Sequence, residues 1–236
     1  METLKKVAVI GLFLTILLPM PGKADSLNQT ESPSISGSNP NATRLFFSPT
    51  ARMLTHGSGY IANHLLFFPS FAVGLSDLAT LGGGFSILPG LDFSDQMFFV
   101  TPKIGFSPTE NVDLAAGAFV GGFPGSDEVN GTIGITYAVG TLGPPERTIT
   151  VGLGWGFANR KIEGKPVLVI GGEWLINRRA SLITENWKVP NAPLIISLGI
   201  RLLGDRFSVD LSLVNTINET IFPGIPLIGL VYAFGR

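Results

Sequence analysis

The feature that most limits the possible folds is a two-residue alternation whose second face carries almost no charge. In residues 148–158, Ile149, Val151, Leu153, Trp155 and Phe157 fall on one face, and Thr148, Thr150, Gly152, Gly154, Gly156 and Ala158 on the other. Residues 206–214 set Phe207, Val209, Leu211 and Leu213 against Ser208, Asp210 and Ser212. Residues 132–141 set Ile133, Ile135, Tyr137 and Val139 against Thr132, Gly134, Thr136, Ala138 and Gly140. A period of two marks a strand, because successive side chains leave a strand on opposite sides. A water-soluble sandwich alternates as well, but its outer face carries Lys, Glu and Arg. Here the charges gather between the segments instead, at Asp77, Glu110, Glu146, Arg147, Arg160, Lys161, Arg178, Arg179, Asp205 and Arg206.

Composition sharpens the choice. Only 14% of the residues are charged and the mean hydropathy is +0.39, whereas soluble domains carry about 25% charge. Past the N-terminus no apolar run approaches the roughly 18 residues that a membrane helix needs. A lipid-facing apolar band around an interior of small residues fits a closed barrel, since open sheet edges cannot be satisfied in hydrocarbon. The expected fold is therefore all-β: a transmembrane antiparallel up-and-down β-barrel.

Connector lengths alternate along the chain. Those near residues 76–79, 107–111, 143–147, 177–180 and 204–205 are short; those near 89–95, 124–130, 159–165, 189–193 and 216–223 are generally longer. Short periplasmic turns and long outer loops follow this rhythm in membrane barrels. Residues 60–76 keep one phase throughout and read as one long descending strand. Its ascending partner is then 44–50, with 51–59 as the first outer loop. That count gives about 12 strands, and a turn at Pro69 and Ser70 widens the range to 10–14.

The first residues read as a targeting segment. Lys5 and Lys6 precede an apolar stretch over 7–18, which Pro19, Pro21 and Gly22 break before Ala24, as in a secretory signal. The expected domains are a signal peptide at 1–24, a flexible periplasmic tail at 25–43 and the barrel at 44–236. The chain has no cysteine, which excludes a disulfide scaffold and a thiol nucleophile. A net charge of −1 gives no electrostatic case for nucleic acid.

The chain end carries a resemblance. In residues 227–234, Gly229, Tyr232 and Phe234 match the C-terminal signal of outer-membrane barrels, although Leu227 stands where a polar residue is usual and Gly235 and Arg236 extend past it. With the strand pattern, the chain resembles the broad class of small bacterial outer-membrane β-barrels of unassigned function. The resemblance implies an outer-membrane location, contact with outer-membrane lipids, and recognition of the C-terminal strand by the barrel assembly machinery. It leaves the oligomeric state open.

The face assignment points six ionisable residues inward: His64, Lys103, Asp113, Glu173, Arg201 and Asp210. Lys103 and Asp113 should lie diagonally across one hairpin, and Arg201 and Asp210 across another. Such charges either filter solutes by charge or pair structurally to fill a narrow lumen; the second reading is preferred. Phe119, Phe123 and Leu66 also point inward and could close the lumen. Gly82, Gly84, Gly152, Gly154 and Gly156 recur inside strands, not at the strand-to-helix turn of a phosphate loop. His56 and Ser58 are spaced like a lipid hydrolase pair, but no third group completes a triad. Two histidines without cysteine make no metal site, and no cofactor is implied. Aromatics near predicted strand ends, Phe157 and Trp187 outside and Phe207, Tyr232 and Phe234 inside, read as interfacial girdles. The functional expectation is a narrow passive pore for small solutes, the alternatives being a non-conducting structural barrel and a membrane-embedded lipid hydrolase.

Overall fold

A computed structural model describes residues 39–125, 131–159, 161–217 and 221–235. The expected signal peptide and residues 25–38 of the expected tail lie outside these. Thirteen strands form one antiparallel sheet: β1 (Gly59–His64), β2 (Phe68–Ser76), β3 (Ala79–Phe85), β4 (Phe98–Thr109), β5 (Val112–Gly122), β6 (Ile133–Leu142), β7 (Arg147–Ala158), β8 (Lys161–Ile162), β9 (Val167–Asn177), β10 (Ala180–Lys188), β11 (Leu194–Leu203), β12 (Phe207–Thr216) and β13 (Ile225–Phe234). β8 only extends the edge of β7 over two residues, and β1 pairs with β13, so the other twelve strands close into a barrel. Closure removes the sheet edges that hydrocarbon would leave unsatisfied. The one helix among the described residues is a three-residue 3-10 turn, Phe93–Asp95.

The barrel is apolar outside. Ile61, Phe71, Ile104, Val151, Trp174, Leu198 and Tyr232 are all exposed on its outer surface. Adjacent inward positions carry Ser, Thr, Gly or charge: Thr148 and Thr150 alternate with exposed Ile149 and Val151, and Ser208, Asp210 and Ser212 with exposed Phe207 and Leu211. The turns at 77–78, 110–111, 143–146, 178–179 and 204–206 lie at one end, and the 65–67 turn with the longer connections at the other. Gly59 and Phe234, which start β1 and end β13, face each other at the short-turn end.

The twelve-strand count is reached by a different route from the one the sequence suggested. Residues 60–76 are not one strand; the chain reverses at 65–67, where Leu65 and Leu66 take the left-handed conformation (φ 56° and 64°). The turn falls short of Pro69, which sits inside β2 opposite Asn63. Residues 44–50 are no wall strand at all. They form a small hairpin with a single bridge from Arg44 to Pro49, closed by Leu45 N–H to the Ser48 carbonyl (2.9 Å) and Thr50 N–H to the Thr43 carbonyl (3.0 Å). Leu45 and Phe46 are fully or nearly fully buried, as are Asn41 and Thr43. The physical reason is that Leu45, Phe46 and Phe47 are consecutive rather than alternating, and Pro49 cannot donate to a ladder. The segment 39–58 occupies the lumen toward the short-turn end, and 51–59 runs to that end, not to an outer loop.

β6 also reverses the expected faces. Tyr137, Val139 and Thr141 point inward, and Thr136, Ala138 and Leu142 outward. Val139 packs with Ala51 and Ala115 in a small core that Met53 and Tyr137 extend. An apolar partner inside the lumen thus draws the larger side chains of β6 away from lipid. The outward Gly134 is covered by the Phe157 ring, which occupies the space a Cβ there would need.

Candidate functional site

Every inward-facing ionisable side chain of the wall strands ends on the lumen segment. The tightest group surrounds Arg201 of β11, which is fully buried. Asp210 of β12 lies directly opposite it in the register, not diagonally. Arg201 Nε and Nη2 donate to the two Asp210 oxygens at 2.6 and 2.9 Å, a bidentate pair. Nη1 donates to Glu173 of β9 at 3.0 Å. The remaining guanidinium capacity goes to the segment: Nη1 reaches the carbonyls of Asn41 (3.2 Å) and Arg44 (3.3 Å), and Nη2 that of Leu45 (2.8 Å). Asn39 and Asn41 then donate from the segment to Glu173 (2.9 Å) and Asp210 (3.1 Å). All the donors of a guanidinium are served, and two carboxylates offset one cation.

A second anchor holds the hairpin tip. Glu185 of β10 is fully buried. Its Oε2 accepts the backbone N–H groups of Phe46 (2.7 Å), Phe47 (3.0 Å) and Ser48 (3.2 Å). Three convergent amides form a concavity for an anion. Trp187 donates its indole N–H to Glu185 Oε1 at 2.6 Å, so it faces the lumen and does not belong to an outer girdle. Glu185 was missed in the sequence because β10 mixes polar and apolar residues on both faces. The two-residue phase with Ser181 and Ile183 was its only signal.

The third anchor is on the opposite wall. Lys103 of β4 donates to the carbonyls of Thr50 (3.2 Å) and Arg52 (2.7 Å). Arg52 in turn meets Asp113 of β5 at 3.4 Å, and Asp113 also accepts from Ser107 at 2.5 Å. The structure therefore does not join Lys103 and Asp113 directly; the segment lies between them. Thr141 accepts the Ala51 N–H at 2.9 Å and pairs with Thr150. His64 of β1 meets the Arg44 guanidinium, which also lies over the Tyr60 ring.

The other expected positions separate. Phe119 faces inward and stacks on Phe99 with ring centroids 4.9 Å apart, while Leu66 is exposed in the 65–67 turn. His56 and Ser58 sit at the short-turn rim and make no pair: His56 Nδ1 engages the Leu75 carbonyl, and Ser58 Oγ donates to the Thr55 carbonyl. Ser58 is moreover buried. Phe207 and Tyr232 face each other outside, near the short-turn end.

The closed barrel matches solved porins. One, the KdgM porin in complex with disordered oligogalacturonate, superposes with a TM-score of 0.56 at 9% identity over 75% of this chain and 98% of its own. The fold is that of a bacterial outer-membrane porin. Looser likenesses are the NanC porin (TM-score 0.47, 6% identity, 75% and 97% covered) and the Acinetobacter baumannii outer membrane protein Omp33 (0.43, 10%, 75% and 95%). No protein-family model matches the sequence, and no curated protein matches it.

Proposed function

We propose that this barrel is a narrow passive pore of the bacterial outer membrane, held shut over its periplasmic half by its own hairpin, residues 43–50. One observation carries this reading. His64, Lys103, Asp113, Glu173, Glu185, Arg201 and Asp210 each make at least one polar contact with residues 39–52. Directional polar bonds of this kind have replacements in water, and the apolar burial of the hairpin itself is confined to Leu45 and Phe46 against Ile183, so it can leave without exposing a large apolar core. The exposed apolar belt supports placement in a bilayer, and the short turns then face the periplasm.

The second reading is a barrel that never conducts. The complete burial of Thr150, Ile183, Glu185 and Arg201 under the segment favours it. A hydrolase reading finds no support, since His56 and Ser58 are turned to other partners.

Planar-bilayer conductance separates the two. Refolded wild-type protein should give small, intermittent openings, and a variant lacking residues 39–50 should give larger and steadier ones. A silent deletion variant, shown to be folded by heat-modifiable gel migration, would remove the pore reading.

A further inference from the structure

The lumen above the hairpin has a different chemistry from the lumen around it. Toward the outer end the inward positions of the strands carry Phe99, Phe119, Ile135, Val167 and Trp187; the ionisable residues on that side are Lys161 of β8, opposite Ala158, and Glu163, whose side chain lies over Gly156. The hairpin adds Phe47 at its tip, 40% exposed beside Leu65 and Leu227. The wall charges bonded to the segment lie below.

The larger side chains are kept from blocking this space by glycines. A Cβ on Gly84 would meet the Phe99 ring at 2.7 Å, one on Gly154 the Ile135 side chain at 2.7 Å, and one on Gly121 the Phe119 ring at 3.4 Å. Each apolar side chain thus uses space over a neighbouring inward glycine, which at Gly121 is shared with Met97. Phe99 and Phe119 stack nearly parallel, at 26°. The result is an apolar, partly aromatic stretch of wall from Phe99 to Ile135.

We propose that the outer half of the lumen binds small uncharged aromatic or alicyclic molecules, and that these are the solutes the pore admits. Flat rings are received by aromatic faces at stacking distance. A carboxylate would lose hydration against Phe99, Phe119 and Ile135 with the like-charged Glu163 side chain over nearby Gly156. Sugars would leave most of their hydroxyls unpaired against Phe, Ile and Val. The binding site does not depend on opening of the hairpin; only its role in passage rests on the pore reading.

The test is fluorine NMR on the full barrel in lipid nanodiscs, with 4-fluorobenzyl alcohol and 4-fluorobenzoate as probes and empty nanodiscs as background. The alcohol should bind saturably above background and the benzoate should not. Phe119→Asp places a charge on the stacked pair and should weaken the alcohol at least about tenfold. Where that variant fails to fold, Phe99→Ser and Phe119→Ser, which remove the rings without adding charge, should weaken it in the same direction. Benzoate binding as well as the alcohol, no saturable binding of either, or alcohol binding indifferent to these substitutions would overturn the proposal. Conductance of the deletion variant is read separately, so a failed pore and a failed site give different results.

Discussion

Arg201 and Glu185 illustrate what a buried charge does when its partners are backbone. Arg201 has two carboxylates and three carbonyls around it, at 2.6–3.3 Å, and it joins β9, β11 and β12 to the hairpin. Removing one partner from a buried ion pair typically costs about 3–5 kcal/mol, because the others are left uncompensated. Arg201→Ala should therefore lower barrel stability by roughly that amount, measured as a drop in the denaturant midpoint of refolded protein in lipid vesicles. Asp210→Ala combined with Arg201→Ala should cost less than the sum, since the orphaned carboxylate is gone. Glu185 is more specific: it touches the hairpin tip and Trp187 but no wall cation at bonding distance. Hydrogen bonds to a charged group contribute about 1.5–3 kcal/mol. Glu185→Gln should leave the barrel folded yet raise the open fraction in single-channel records about tenfold, the equivalent of 1.4 kcal/mol. Unchanged gating in a folded variant would mean that Glu185 does not hold the tip.

At the scale of strands, legibility in the sequence followed parity. Where the inward phase shifts, as from Arg201 of β11 to Asp210 of β12, the turn shows as a break in the alternation. The 65–67 turn has three residues, and His64 pairs with Phe68. Even-numbered residues therefore face inward on both sides of it: Tyr60, Ala62 and His64, then Ser70 and Ala72. Alternation reads straight through such a turn, which is why 60–76 looked like one strand. The two left-handed leucines gave no warning, since that conformation usually selects Gly or Asn. β6 failed for another reason. Its Tyr137 and Val139 face inward because Ala51 and Met53 stand in the lumen to receive them, and no local pattern reveals a partner so distant in sequence. Tyr137→Ala should thus destabilise the hairpin more than the barrel. A single cysteine at position 51 should become reactive to maleimide in the Tyr137→Ala background and stay protected in its absence.

Twelve strands enclose more space than their own small inward side chains can fill. Eight-stranded barrels are packed by wall side chains, and 16–18 strands leave an aqueous channel. With Gly, Ser and Thr at so many inward positions, a barrel of intermediate size needs a filler, and residues 39–58 supply it from the short-turn end. The small inward residues and the inserted segment are thus two halves of one packing solution, and the outer half is left clear. The chain has no native cysteine, so this arrangement can be read by single-cysteine labelling on intact Gram-negative cells. Asp92→Cys, on the long 86–97 connection, should react with any impermeant maleimide. Leu78→Cys, at a short turn, should react only after the outer membrane is permeabilised. Phe47→Cys decides the rest: the tip is exposed but lies inside the wall. It should react from outside with a small uncharged maleimide and resist one tethered to a polymer too wide for the barrel. Labelling of Leu78→Cys from outside would invert the orientation. Protection of Phe47→Cys from the small reagent would mean that the outer lumen is not open to solutes.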